Sequence, residues 1–254
     1  MALSPLRAFI RFYAELNDHL PFGVRYRTLE KEFYVPASVK DIIESFGIPH
    51  TEVELIVING ESSDFARLIQ NGDRVAVYPM FEALDIAPEL RVRPHTLRET
   101  RFVLDVHLGK LTGYLRMLGF DTYYDNAADD PELVKISGEQ NRILLTRDRG
   151  LLKHAAVTRG YWVRETDSRR QVAEVVSRFD LAGDVRPFTR CMVCNHPLSS
   201  ASKANILGRV SPLTAELYDD FRECAGCGRI YWEGSHHRRM QQWIAKLSAP
   251  PQVR

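Results

Sequence analysis

The chain has 254 residues, 44% of them hydrophobic and 26% charged, with a formal net charge of +1. That length suits two or three domains, and the composition excludes wholesale disorder and a small disulfide-stapled scaffold. No apolar run approaches the roughly 20 residues that a membrane-spanning helix needs, and the opening residues lack a signal-peptide pattern. The expected setting is therefore the cytoplasm, with reduced thiols and no membrane partner.

Charge is spread unevenly. Residues 1–100 carry 11 Lys/Arg and 15 Asp/Glu, residues 101–184 carry 13 of each, and residues 185–254 carry 10 and 5. The basic tail is the better candidate for meeting a polyanion, although a merely solvated basic face gives the same balance.

In chain order, Arg7-Ala-Phe-Ile-Arg-Phe-Tyr predicts a strand and residues 26–35 a second, ended by Pro36. Ser38 predicts an N-cap for a helix carrying Val39, Ile42, Ile43 and Phe46, stopped by Gly47 and Pro49. Glu54-Leu-Ile-Val-Ile runs into the tight-turn pair Asn59-Gly60, and Gly72-Asp-Arg-Val-Ala-Val-Tyr-Pro predicts a last strand. Residues 82–100, with two prolines and no clear period, predict a linker.

From residue 101 strands and helices alternate. Phe102-Val-Leu is a buried-type strand, and Leu108, Leu111, Leu115 and Leu118 space out a helix that Gly119 ends. Asp121-Thr-Tyr-Tyr, Arg142-Ile-Leu-Leu and Gly160-Tyr-Trp-Val-Arg predict three more strands. Helices are expected to open at Asp129-Asp-Pro-Glu, over residues 151–158 and over residues 168–179. This alternation predicts a parallel α/β sheet.

Ligands of open parallel sheets bind at the carboxyl ends of the strands. Asp105 and Asp148 each follow a strand at that end, and Asp129 and Asp130 open a helix on the same expected rim. Carboxylates so placed suit Mg²⁺ or Mn²⁺ and a metal-activated water attacking a phosphodiester. Lys110, Arg147 and Arg149 are near enough in sequence to hold an anionic substrate. Each aspartate also has a plainer reading. Asp129 or Asp130 can cap its helix, and Asp148 can cap the next one.

All four cysteines lie in residues 185–254. Cys191-Met-Val-Cys194 and Cys224-Ala-Gly-Cys227 form two C-x₂-C knuckles separated by 29 residues. Four soft thiolates on two tight turns favour structural Zn²⁺, with redox disulfides and an iron centre as the other users of this spacing. Beyond them, Tyr231, Trp232, His236, Arg238 and Arg239 bring aromatic and basic groups together. Such groups can stack on unpaired RNA bases and contact phosphates, or can fill a small ribbon core and face water.

Two resemblances join these readings. The first and last predicted strands of the N-terminal block look like those of ubiquitin-like β-grasp sulfur carriers. The Gly-Gly tail of those carriers is missing, since Pro79-Met-Phe-Glu continues into more protein, so sulfur transfer is set aside in favour of a binding or positioning role. Phe102-Val-Leu-Asp-Val-His-Leu-Gly-Lys-Leu-Thr-Gly-Tyr-Leu-Arg-Met-Leu-Gly-Phe-Asp resembles the opening of the Mut-seven-C-type RNase domain, a PIN-like nuclease family. Tyr124-Asp-Asn-Ala-Ala-Asp-Asp and Arg142-Ile-Leu-Leu-Thr-Arg-Asp are similar to its next two motifs, and Tyr-Trp-x-Gly-Ser-His at residue 231 to its C-terminal ribbon.

The resemblance implies an N-terminal ubiquitin-like β-grasp domain (1–81), a linker (82–100), a PIN-like nuclease domain (101–184) and a zinc ribbon with tail (185–254). It implies acidic site positions at Asp105, one or both of Asp129 and Asp130, and Asp148. A fourth acid common in PIN folds has no clear match, and Asp167 is the one candidate. The expectation is a metal-dependent ribonuclease acting on RNA (tRNA, rRNA or the ribosome among the options), with a protein partner for the ubiquitin-like domain. The competing expectation is a non-catalytic RNA- or ribosome-binding protein on a degenerate PIN-like scaffold. The sequence leaves the oligomeric state open.

Overall fold

A computed structural model of the chain describes residues 5–79 and 100–247. The expected linker at 82–100, apart from Thr100, and the tail beyond 247 fall outside the described residues. The N-terminal elements are β1 (Leu6–Phe12), β2 (Thr28–Phe33), α1 (Val39–Ser45), β3 (Leu55–Ile58), β4 (Glu61–Ser63) and β5 (Arg74–Tyr78). The middle of the chain gives β6 (Arg101–Leu104), α2 (Gly109–Met117), β7 (Asp121–Tyr123), α3 (Asp130–Glu139), β8 (Ile143–Thr146), β9 (Gly160–Trp162) and α4 (Ser168–Arg178). The last part gives β10 (Leu198–Ala201), α5 (Lys203–Ile206), α6 (Pro212–Leu217), β11 (Phe221–Cys224), β12 (Ile230–Trp232) and α7 (Ser235–Leu247). Among the described residues, no helix is long and apolar enough to cross a membrane.

The chain packs as two compact units, the first from the described residues of 1–99 with 130–162, the second from those of 100–129 with 163–254. In the first, a five-stranded sheet runs in the order β2-β1-β5-β3-β4, with β1 parallel to β5 and the other pairs antiparallel. That is a β-grasp arrangement. Strand alternation puts Ala8, Ile10 and Phe12 on one face with Ile56, Ile58, Val75 and Val77, and α1 covers them with Val39, Ile42 and Ile43. The helix starts where the sequence predicts: Ser38 and Asp41 exchange side-chain and backbone hydrogen bonds as a capping box. Asn59 and Gly60, at φ 53° and 93°, make the two-residue turn between β3 and β4.

The same unit contains α3 and the parallel pair β8–β9, in register Leu144↔Gly160 through Thr146↔Trp162. Gly160 is required here, because a Cβ would lie 2.5 Å from Leu152 Cδ2 and 3.1 Å from the Leu144 carbonyl. The helix expected over residues 151–158 is instead a single 3-10 turn, Leu151–Lys153. The Leu152 carbonyl accepts from the Thr51 hydroxyl (3.3 Å) and the Val157 carbonyl bonds to the His50 ring (2.9 Å), so tertiary partners take acceptors that helical bonds would use.

The second unit holds the parallel pair β6–β7, helices α2 and α4, and an antiparallel three-stranded ribbon, β10-β11-β12. Parallel strands and helices make the middle of the chain α/β, as the alternation predicts. The C-terminal helix α7 lays Trp243 against Tyr114 of α2 with ring centroids 5.2 Å apart, and buries Ile244.

Candidate functional site

β6 is buried from Phe102 to Leu104 and delivers Asp105 at its carboxyl end, only 6% exposed. Its carboxylate caps the 3-10 turn Val106–Leu108, accepting the His107 N–H at 3.1 Å. Beside it the Tyr124 hydroxyl, from the end of β7, donates to the Val106 carbonyl (3.1 Å). Gly109 is matched to that tyrosine, since a Cβ there would meet the hydroxyl at 2.7 Å. Sequence reasoning places Tyr124 in a predicted strand and at the head of a family motif but gives it no role beside Asp105.

β8 is fully buried and leads through Arg147 to Asp148, which is exposed. Thr146 Oγ1 accepts the Asp148 N–H at 2.8 Å, and Asp148 Oδ1 accepts the Gly150 N–H at 2.7 Å, so both atoms of the turn are fixed. Asp130 opens α3 and Asp129 precedes it, both exposed. Asp105 and Asp129 belong to the second compact unit, Asp130 and Asp148 to the first. Lys110 is exposed on α2, and the Arg149 guanidinium lies 5.1 Å from the Trp162 ring centroid. Asp167 caps α4, its Oδ1 accepting the Arg169 and Arg170 N–H groups at 3.0 and 3.1 Å.

The four cysteines converge. Their Sγ atoms all lie within 4.8 Å of one another, close enough to hold a metal ion, and none is in a disulfide. Two cross-knuckle separations are 3.2 Å (Cys194–Cys224) and 3.6 Å (Cys191–Cys227). Both knuckles turn in the same way. The Asn195 N–H returns to the Cys191 carbonyl at 3.0 Å and the Gly228 N–H to the Cys224 carbonyl at 2.8 Å, with left-handed φ of 71° and 70°. Glycine adopts that conformation freely, and asparagine and aspartate at less cost than other side chains.

Electrostatics in this cluster are uneven. Burial pushes the Cys191 thiol up, but hydrogen bonds from Tyr231 and from the Cys194 and Val193 amides outweigh it and bring Cys191 down to about 6. Burial and its thiol neighbours hold Cys194 up to about 12. The Tyr231 hydroxyl, 3.1 Å from Cys191 Sγ, is itself raised by burial and by the adjacent thiolate. Of the other residues expected to meet RNA, Trp232 is 38% exposed, and His236, Arg238 and Arg239 are exposed at the start of α7.

The first knuckle is anchored by residues that sequence reasoning missed. Arg116 of α2, 5% exposed, donates from Nη1 to the Val193 carbonyl (2.6 Å) and from Nε to the Thr122 carbonyl (3.0 Å). Asn195 accepts the Thr122 N–H (3.0 Å) and donates to Asp121 (2.8 Å). The available signal was an arginine set between Leu115 and Met117 of an otherwise core-facing stretch.

Comparison with known families gives two matches. The family described as Mut7-C ubiquitin matches residues 6–85, and that described as Mut7-C RNAse domain matches residues 100–244. No curated protein matches the chain. With more than half of its length matched, this chain belongs to the Mut7-C RNAse domain family.

Proposed function

We propose that the chain is a divalent-metal-dependent ribonuclease of the cytoplasm, hydrolysing RNA phosphodiesters. Asp105, Asp148 and one or both of Asp129 and Asp130 are the carboxylates assigned to Mg²⁺ or Mn²⁺, since hard oxygen donors suit these ions. When bound, such a cation lowers the pKa of a water nucleophile and neutralises phosphate charge. Lys110, Arg147 and Arg149 are assigned to the substrate backbone. What supports the reading is the family match over 100–244 combined with two aspartates at the carboxyl ends of buried parallel strands, Asp105 directly after β6 and Asp148 one residue further on from β8.

Zn²⁺ is assigned to Cys191, Cys194, Cys224 and Cys227. A tetrahedral site with bonds of about 2.3 Å sets sulfurs about 3.8 Å apart, close to the 3.6 Å between Cys191 and Cys227 and somewhat longer than the 3.2 Å between Cys194 and Cys224. The ribbon surface carrying Trp232, His236, Arg238 and Arg239, in the segment with 10 basic and 5 acidic residues, is assigned to RNA, with tRNA, rRNA and the ribosome as sources to test. Tyr231 is assigned to the same surface by its ring, and to Cys191 by its hydroxyl.

The test is substitution at constant size. Asp105→Asn and Asp148→Asn should each lower RNA cleavage by roughly 10²–10⁴ while the protein stays folded. Asn retains an oxygen that can accept the turn hydrogen bonds of both positions. Activity should vanish with chelator and return with Mg²⁺ or Mn²⁺. One observation favours the second reading, a non-catalytic RNA or ribosome binder: Asp167, the candidate fourth acid, is engaged in capping α4. A wild-type chain that binds RNA and cleaves none with either ion, or an Asp105→Asn variant that cleaves normally, replaces the first reading by the second.

A further inference from the structure

In the first compact unit a buried 3-10 turn of the ubiquitin-like module, His50–Glu52, packs against β9 and the segment before it. Glu52 is the centre of the joint. Its Oε1 accepts the Trp162 N–H at 2.7 Å and its Oε2 is 2.8 Å from His19 Nε2. The His19 and Glu52 side chains are both 0% exposed, and the His19 ring centroid is 5.0 Å from that of Trp162. Thr51 donates to the Leu152 carbonyl, His50 bonds to the Val157 carbonyl, and Lys153 reaches back to the Glu44 carbonyl at 3.1 Å. One turn of the module therefore clasps residues 152–162 at three points along their length.

Asp148 and Arg149 stand at the head of that segment. The Arg149 guanidinium rests 5.1 Å from the centroid of the Trp162 ring, whose own amide Glu52 holds. A carboxylate is carried out of water only where its charge and lone pairs are answered, so Glu52 binds the two parts together for as long as both remain folded. A module that merely recruited a partner from the end of a tether would not bury an acid and an imidazole against the chain it serves.

We infer that the ubiquitin-like module is a fixed part of the nuclease, and that Glu52 is a positioning residue which, through Trp162 and the backbone of 152–162, sets the Asp148–Arg149 turn. The inference rests on the ribonuclease reading only for its effect on activity; the clasp itself is tested without RNA.

Hydrogen exchange by mass spectrometry on the full-length chain separates the two. Glu52→Ala should raise exchange across residues 147–162 by about tenfold or more, while α1 and β5 keep their protection. Glu52→Gln, which retains an oxygen for the Trp162 N–H and an amide beside the His19 ring nitrogen, should restore nearly wild-type exchange. In RNA cleavage, Glu52→Ala should lower kcat by about tenfold with KM changed less than about twofold. Unchanged exchange over 147–162 in Glu52→Ala overturns the inference. If that variant also unfolds α1 and β5, Arg149→Met decides from the other side: faster exchange confined to residues 147–151 supports the linkage, and none refutes it. A wild-type chain that cleaves no RNA sinks the ribonuclease reading and leaves the exchange result to stand or fall alone.

Discussion

Replacing Asn195 should loosen the first cysteine knuckle from β7 in steps set by which of its roles is removed. Asn195 adopts a left-handed backbone at φ 71°, accepts the Thr122 N–H at 3.0 Å and donates to Asp121 at 2.8 Å. Thr122 is fully buried, so an N–H left without that acceptor costs about 1–3 kcal/mol. Asn195→Gly relieves the backbone while losing both side-chain bonds, for a net loss of about 2 kcal/mol. Asn195→Ala loses the same bonds and adds the left-handed penalty, about 1 kcal/mol more. Asn195→Asp keeps the acceptor and the backbone preference but aims a second carboxylate at Asp121, which the Arg190 guanidinium approaches at 3.8 Å. The assay is amide exchange at Thr122 by NMR on the zinc-loaded chain. A loss of 2 kcal/mol corresponds to exchange faster by about thirtyfold, and Ala should exceed Gly by about fivefold. Equal rates for Gly and Ala would refute the backbone argument, and an unchanged Thr122 rate in Asn195→Gly would refute the clip.

Three further outcomes follow from the geometry. Gly109→Ala should destabilise the chain by about 1–3 kcal/mol, because its Cβ meets the Tyr124 hydroxyl at 2.7 Å, and Tyr124→Phe should recover part of that in urea unfolding. Burial, foremost among its influences, holds His50 below its usual 6.5, so between its folded pKa and 6.5 the unfolded chain binds the extra proton; stability of the first unit should fall as pH drops through that window and stay flat above it, and His50→Gln should remove the slope in urea midpoints. Tyr231→Phe removes a donor that helps hold Cys191 at about 6, so the metal-stripped variant should have less Cys191 thiolate near neutral pH and alkylate more slowly there, read by mass spectrometry on the Cys191 peptide.

Much of the fold was legible because it rests on local rules. The Ser38 capping box, the Asn59-Gly60 turn and the leucine spacing of α2 each need only neighbouring residues. β4 went unread, being three residues, Glu61–Ser63, with two serines and no alternation to detect. Residues 151–158 were misread as helix for the opposite reason. Leu-Leu-Lys-His-Ala-Ala is good helix composition, and the carbonyls at 152 and 157 are drawn away by Thr51 and His50 from about a hundred residues upstream. No local pattern carries that information.

The site divides along the same line. Cysteine pairs announce themselves because thiolate chemistry requires both knuckles at fixed spacing, and the structure brings all four sulfurs within 4.8 Å. The groups that hold the knuckle in place are ordinary residues. Arg116 and Asn195 become recognisable only when the Val193 carbonyl and the Thr122 amide are seen to need partners. Burial lowers the Arg116 pKa, and the thiols of Cys191 and Cys194 and the carboxylate of Asp121 act against that effect. The same guanidinium therefore neutralises part of the charge that a four-thiolate site accumulates and ties that site to α2 and β7. A ribbon fastened in this way shares its stability with the helix that follows Asp105, so stripping any ion that the four cysteines hold should be felt at the strand end and not only within the ribbon.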